Sequence, residues 1–454
     1  MIDTARRLLL PALLVLLVAC WLGGGVTADD TSIDEWLQLL ALPVLLLAVI
    51  VLIEQDTPPP VRWGMAAVLL IAAVPALQLL PLPTNIWALP SARGALVADL
   101  AVAGVTVAPH WSLAPYATER SLWALLPALA AFLAACALPA WQRRRLLQGV
   151  VVLIACNVVF AFFQAGLPPD SPLRLYQDFS NGFGGLLANT NHQATACIIG
   201  MALSVGLAAD ARLRARHGQA HPHRYGWYLA LAGCFLLMVP LSTSRAGMAI
   251  ALPALGLALL ITGLVRPMRI LRSRRALALT LASVLLAVIG VRAGLGWMAV
   301  DEAQEQRHAM AVVAVEAGKA QAPLGSGVGS FVEVFEQAAP LQLRLANYVN
   351  HAHNEYVQWW LSTGWLGMLV LGGVLALLGM TGWRILRSRG HGAALAGAGF
   401  AALCAVLAHS WADYPLRTLT LMATTAAVAG VMLASVAVAT PREPATRRRP
   451  SQLA

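Results

Sequence analysis

His353 and Glu355 lie in the run His351-Ala352-His353-Asn354-Glu355-Tyr356-Val357-Gln358-Trp359-Trp360, which leads straight into an apolar stretch. A histidine here can exchange a proton near neutral pH, which suits a general base or a hydrogen-bond orienter. Glu355 could act in the same way or fix a neighbour. Polar groups at this density are costly at a membrane boundary unless they are solvated or used. The competing reading is an interfacial belt in which His351, His353 and Tyr356 join the tryptophans; it suits His351 better than His353. A zinc site on His351 and His353 lacks a third ligand at workable spacing, so neither metal nor cofactor is expected.

Two arginines offer planar, permanently charged forks suited to phosphate oxygens. Arg245 sits in Leu241-Ser242-Thr243-Ser244-Arg245-Ala246-Gly247, between two apolar runs with almost no loop around it. Arg307 opens a long polar segment, Asp301-Glu302-Ala303-Gln304-Glu305-Gln306-Arg307-His308. The alternatives are a snorkelling Arg245 at a helix end and an Arg307 paired to Glu302 or Glu305. Asn189-Thr190-Asn191-His192-Gln193 opens another apolar run. It could cap a helix, but His192 and Gln193 exceed what capping needs and suggest a polar cavity. Pro323-Leu324-Gly325-Ser326-Gly327-Val328-Gly329-Ser330-Phe331 could present N–H groups to an anion, although a flexible loop end is the simpler reading. No strand precedes it, which rejects a nucleotide fingerprint. Asp413 and Arg417, at the end of a further apolar run, read as a structural pair that satisfies itself.

The elements that must position these groups are membrane helices. The 454 residues are 59% hydrophobic and only 11% charged, less than half the charge share of a soluble protein. The apolar residues come in runs of about 20, the length that crosses a bilayer core. Water-soluble enzymes, disordered chains and disulfide-stapled domains are excluded. Twelve spans can be drawn: 8–26, 36–53, 62–82, 121–140, 146–167, 187–209, 225–242, 246–265, 276–298, 357–381, 393–411 and 416–439. The first follows Arg6-Arg7 without a small-x-small cleavage site and reads as a retained helix. The fold class is thus an all-α polytopic membrane protein with about 12 transmembrane helices. It divides into N-terminal helices (1–180), helices carrying the Asn189 and Arg245 motifs (181–298), a large outer loop (299–356), C-terminal helices (357–440) and a basic tail (441–454).

With the N-terminus in the cytoplasm, 22 of the 31 basic residues fall on the cytoplasmic side and 16 of the 21 acidic ones outside. The net charge of +10 therefore follows from membrane orientation and requires no nucleic acid. The six cysteines lie within apolar runs without CxxC spacing and read as small hydrophobes. In this topology every polar cluster named above faces away from the cytoplasm. A site there has no ATP or nucleotide sugar at hand, so its donor must arrive already activated, as a lipid-linked diphosphate does.

Those motifs, in that order, resemble the bacterial O-antigen ligase family, whose wider group includes capsule and exopolysaccharide polymerases and protein O-oligosaccharyltransferases. The matching pieces are Asn189 to Ala194, Ser244-Arg245-Ala246-Gly247, Arg307, Pro323 to Phe331, and His353-Asn354-Glu355-Tyr356 leading into Gly364-Trp365-Leu366-Gly367. The resemblance covers roughly residues 180–420. It implies a metal-independent, inverting, C-type glycosyltransferase architecture in the inner membrane, with an undecaprenyl-diphosphate-linked glycan donor. It implies donor diphosphate binding by Arg245 and Arg307 and acceptor activation by His353. Glu355 is a second catalytic candidate, and Asn189, Asn191, His192 and Asn354 are candidates for sugar or acceptor contacts. The acceptor is lipid A-core in a ligase, another lipid-linked glycan in a polymerase, and a Ser or Thr in a protein transferase. A transporter is the main rival, but it should place ionisable groups at the bilayer midplane. A scaffold would not need His353, Arg245 and the glycine turn on one face.

Overall fold

In a computed structural model of the chain, residues 2–27, 32–105, 109–168, 170–176, 183–221, 223–265, 302–346 and 349–441 are described. The expected span 276–298, the arginines of 266–275, Asp301 and the tail arginines lie outside them, as do the side chains of Glu302 and Glu305.

The chain is a polytopic helical membrane protein. Among the described residues ten helical segments are long and apolar enough to cross a bilayer. They are α1 (Ile2–Gly23), α2 (Ser32–Ile53), α3 (Pro59–Gln78), the broken pair α6 (Pro115–Trp123) and α7 (Leu126–Ala137), and α8 (Ala140–Ala165). After these come α9 (Thr190–Arg216), α10 (Arg224–Leu241), α15 (Glu355–Leu386), α16 (His391–His409) and α17 (Leu419–Val436). The expected span at 246–265 forms α11 (Arg245–Ile261), an apolar helix of 17 residues. Short helices α4 (Thr84–Trp87) and α5 (Ser91–Val102) fill the connection after α3. The large loop folds as α12 (Glu302–Ala320), α13 (Phe331–Ala338) and α14 (Leu341–Ala346). One two-residue antiparallel ladder, Ser388–Arg389 with Thr440–Pro441, closes the end opposite the polar motifs.

α9 is the axis of the bundle, buried continuously from Asn191 to Ala211. Lipid supplies no hydrophobic drive between helices, so membrane helices associate by close packing of small residues. A Cβ at Gly200 would meet the Phe235 ring at 2.9 Å, and one at Gly430 would meet the Phe132 carbonyl at 2.5 Å. The outward faces carry exposed Leu46, Leu69, Val159, Leu237 and Leu369, as a lipid-facing surface requires. α1 is tied into this core: Trp21 Nε1 donates to Thr424 Oγ1 at 3.1 Å, and Thr420 Oγ1 donates to the Cys20 carbonyl at 2.6 Å. The outer loop has its own small core of Met310, Ala314, Phe331, Val334, Phe335 and Ala352.

Candidate functional site

Three helices start at the same end of the bundle, each capped by a residue from one of the polar motifs. Asn189 Oδ1 accepts the Asn191 N–H at 2.8 Å and opens α9. Ser244 Oγ accepts the Gly247 N–H at 3.0 Å and opens α11. Asn354 Oδ1 accepts the N–H groups of Tyr356 and Val357 at 3.1 and 3.2 Å and opens α15. Such caps satisfy donors that the helix cannot pair, and the ends they close carry partial positive charge.

A further set of polar contacts converges on the linker between α16 and α17. His353 has φ 48, a left-handed backbone uncommon outside glycine and concentrated at functional sites. That conformation brings Nδ1 to 3.1 Å from Asp413 Oδ1. The second carboxylate oxygen, Oδ2, accepts from Asn189 Nδ2 at 3.0 Å. The Asp413 side chain is 1% exposed and that of His353 19%, so the acid is sealed and the imidazole reaches the surface of the site. Burial alone would raise the Asp413 carboxyl. The hydrogen bond from His353, with the electrostatic pull of the neighbouring imidazoles and of Arg307, outweighs it and holds Asp413 well below the usual carboxylate range. An ionised carboxylate only accepts, so Nδ1 carries the proton and Nε2 is left as the basic nitrogen.

Tyr414 sits under this pair. The rings of His192, His351 and His353 pack on it at 5.1, 4.4 and 4.9 Å. Burial pushes the Tyr414 phenol up to about 12, and the Asp413 charge adds to the effect. His351, read from sequence as belt, belongs instead to this cluster. Its Nδ1 faces Gln358 Nε2 at 3.1 Å, and burial, with the charge of Arg417, holds it neutral. Tyr356 does occupy a belt position, beside Trp411 at 6.0 Å.

The expected Asp413–Arg417 pair is not formed. Their spacing of four suits a helix, but 410–414 is a turn and 415–417 a single 3-10 turn, so the two side chains diverge. Asp413 joins His353 and Asn189, and the charge of Arg417 is balanced by Glu355. Glu355 Oε1 also accepts the Leu416 N–H at 2.7 Å, and the Glu355 N–H donates to the Ser410 carbonyl at 2.8 Å. Glu355 thus clamps both ends of the linker that carries Asp413.

A second chain of contacts reaches Arg245. Thr195 Oγ1 lies 2.7 Å from His409 Nδ1, Ser244 Oγ lies 3.5 Å from His409 Nε2, and the Asp413 N–H donates to the His409 carbonyl at 3.0 Å. His409 therefore joins α9, the turn before Arg245 and the Asp413 linker. Arg307, on the first turns of α12, lies close enough for its charge to act on Asp413, His409 and Tyr414. The structure brings together Asn189, His192, Arg307, His353, Glu355 and Asp413, with Arg245 one residue beyond Ser244. Among the described residues no group of three His, Cys, Asp or Glu side chains is arranged to hold a metal ion.

Residues 230–372 match the profile of a family described as O-Antigen ligase. That segment belongs to the O-antigen ligase family. No curated protein matches the chain. The matched segment places the protein among glycan-handling membrane enzymes of the ligase and polymerase group. It contains Arg245, Arg307, His353 and Glu355. Asn189, His192, His409 and Asp413 lie outside it.

The glycine turn of the O-antigen ligase segment is neither an anion cradle nor a loose loop end. The N–H groups of Ser326 and Gly327 donate to the Leu361 and Ser362 carbonyls, both at 2.9 Å, and that of Val328 donates to Gln78 Oε1 at 2.9 Å. Gly325, at φ +75, lies so close that a Cβ would meet the Gly364 nitrogen at 2.5 Å, where α15 kinks at φ 56. Sequence reading missed the partners on the other side. Arg93, fully buried, donates to the Gly325 carbonyl at 2.6 Å and to Gln321 Oε1 at 3.2 Å, with its guanidinium 5.2 Å from the Trp87 ring centroid. Gln78 Nε2 donates to the Ser362 carbonyl at 2.9 Å. A lone arginine far from the basic clusters was the available signal for Arg93.

Proposed function

We propose that this protein transfers a glycan from an undecaprenyl-diphosphate-linked donor to an acceptor hydroxyl at the periplasmic face of the inner membrane. The observation that carries this reading is the His353–Asp413 pair, formed beside Arg307 at an end where three helix N-termini open. Asp413 holds His353 as the tautomer whose Nε2 accepts the proton of the attacking hydroxyl. The acceptor oxygen bonds to the anomeric carbon as the carbon–oxygen bond to the diphosphate breaks, and the electron pair leaves with the diphosphate. Arg245 and Arg307 neutralise the charge that develops there, which is the larger part of such catalysis. Attack opposite the leaving group inverts the anomeric centre without metal or covalent intermediate.

In this reading Glu355 is a positioning residue that fixes the Asp413 linker, and His192, Asn191, Asn189 and Asn354 border the sugar or acceptor. Twelve spans, a C-type glycosyltransferase architecture and both termini in the cytoplasm complete the proposal, with the 299–356 segment as a periplasmic unit. The acceptor is another glycan or lipid A-core.

Deletion of the gene in the native host, with complementation by wild type, Arg245→Ala, Arg307→Ala or His353→Ala at matched protein levels, tests the reading. Bare lipid A-core with accumulated lipid-linked polymer identifies a ligase, and single repeats in place of long chains identify a polymerase. Full complementation by all three variants would overturn the site.

A further inference from the structure

The end of the bundle opposite this site holds a second polar constellation that glycan transfer does not use. The start of α8, the end of α9 and the turn into α16 enclose a cavity of about 320 Å³. Arg143, Arg144 and Arg214 line it, with Asp210 the acid on its wall among the described residues. That acid is already engaged: Oδ2 accepts from Arg214 Nε at 3.1 Å, and Oδ1 lies 2.7 Å from His391 Nδ1. Arg143 and Arg144 therefore add two guanidinium groups to the wall beyond the one that Asp210 engages.

Two buried polar atoms on the wall lack partners. Arg143 is 5% exposed and Ser435 2%, yet Arg143 Nε and Ser435 Oγ make no hydrogen bond within the protein. Buried donors are almost always paired, because an orphan loses its solvation with nothing in return. Both residues line the cavity, and a phosphate group has an oxygen to offer each. The first turn of α16 opens onto the same cavity from Gly390, His391 and Gly392 without a side-chain cap, and its N–H groups favour an anion.

We propose that this cavity is a phosphate-binding site, in which Arg143, Arg144 and Ser435 hold the anionic oxygens of a phosphate group. A phospholipid headgroup and a free phosphate share that chemistry. The position of the cavity at the end of apolar helices, where anionic lipids gather basic residues, favours the headgroup.

The test uses the full-length protein, purified in detergent and stripped of lipid. Binding is read by native mass spectrometry and thermal melting, with phosphatidylglycerol, phosphatidylcholine or inorganic phosphate added. We expect phosphatidylglycerol to bind and raise the melting temperature more than phosphatidylcholine. Arg143→Gln and Arg144→Gln should each weaken that binding about tenfold or more, the scale of one lost charge-assisted contact. Arg145→Gln, on the exposed side of α8 over Trp141, should not. Stabilisation by inorganic phosphate that competes with the lipid assigns the site to the phosphate group alone, and stabilisation by lipid only assigns it to the headgroup in its bilayer setting. Equal losses in Arg145→Gln and the cavity variants would reduce the effect to bulk charge and overturn the site. So would wild-type protein that distinguishes neither lipid and ignores phosphate, a result that needs no variant to fold.

Discussion

His353 and Asp413 are 60 residues apart in the chain and meet at 3.1 Å, one from the O-antigen ligase segment and the other from beyond it. If Asp413 acts through the imidazole, the two residues form one functional unit. Asp413→Asn, His353→Ala and the double variant should lose transfer to a similar degree, about 10²–10⁴-fold, the usual worth of a positioned general base. Donor binding should survive in all three. The rate of transfer from a lipid-linked donor, measured beside donor binding, checks this; additive losses would separate the pair.

Glu355 makes a contrasting prediction. Glu355→Gln keeps an oxygen for the Leu416 N–H and should retain most of the transfer rate, whereas loss of activity with an unchanged fold would make Glu355 a base. Both variants leave Arg417 without its counter-charge, and Glu355→Ala also frees the linker. Its cost should fall between the ~1 kcal/mol of an exposed pair and the ~3–5 of a fully buried one. Thermal melting of the purified variants reads this directly.

The candidate cluster stood out in the sequence because polar residues crowd the ends of apolar runs, where they are costly unless used. Asn189, Arg245 and His353 were legible on that ground, and Arg307 as a cation opening the outer loop. Their pairings were not. Asp413 and Arg417 suggested each other through helical spacing, and only the shape of the 410–418 linker redirects Asp413 to His353 and leaves Arg417 to Glu355. The partner of the glycine turn was equally hidden, since Arg93 reaches Gly325 across 232 residues. Helix existence followed from apolar run length. The break at Gly364 did not, because it answers to a close backbone approach from elsewhere in the chain.

The state of Asp413 fixes the sign of an acid effect on stability. Its folded carboxyl is held below the ordinary range near 4, so its stabilising contribution is complete above that range and is lost as pH falls toward the depressed folded value. Wild type should therefore lose melting temperature between about pH 5 and pH 3 more steeply than Asp413→Asn. Parallel melting curves across that window would show that the carboxylate is not held by His353 and Asn189.

Gly325→Ala should be among the most damaging single-methyl additions. The new Cβ meets backbone atoms of Ser362, Thr363 and Gly364 within 2.5–2.6 Å, at a φ that already disfavours a side chain. A loss of about 1–3 kcal/mol, with reduced transfer, is expected from such overpacking. Gly256→Ala, where a Cβ meets nothing, should be silent in both assays.

The seam between the glycine turn and α15 is built from main-chain carbonyls and amides, with Arg93 and Gln78 as its side-chain supports. A joint of that kind is indifferent to the identity of most residues hung from it. Glu336, Gln337, Leu341 and Gln342 are exposed on the outer loop and take no part in it. Exchange of these residues leaves the seam's hydrogen bonds in place. If Arg307 and His353 carry the transfer, the exposed part of the loop is free to vary while the seam keeps both in register.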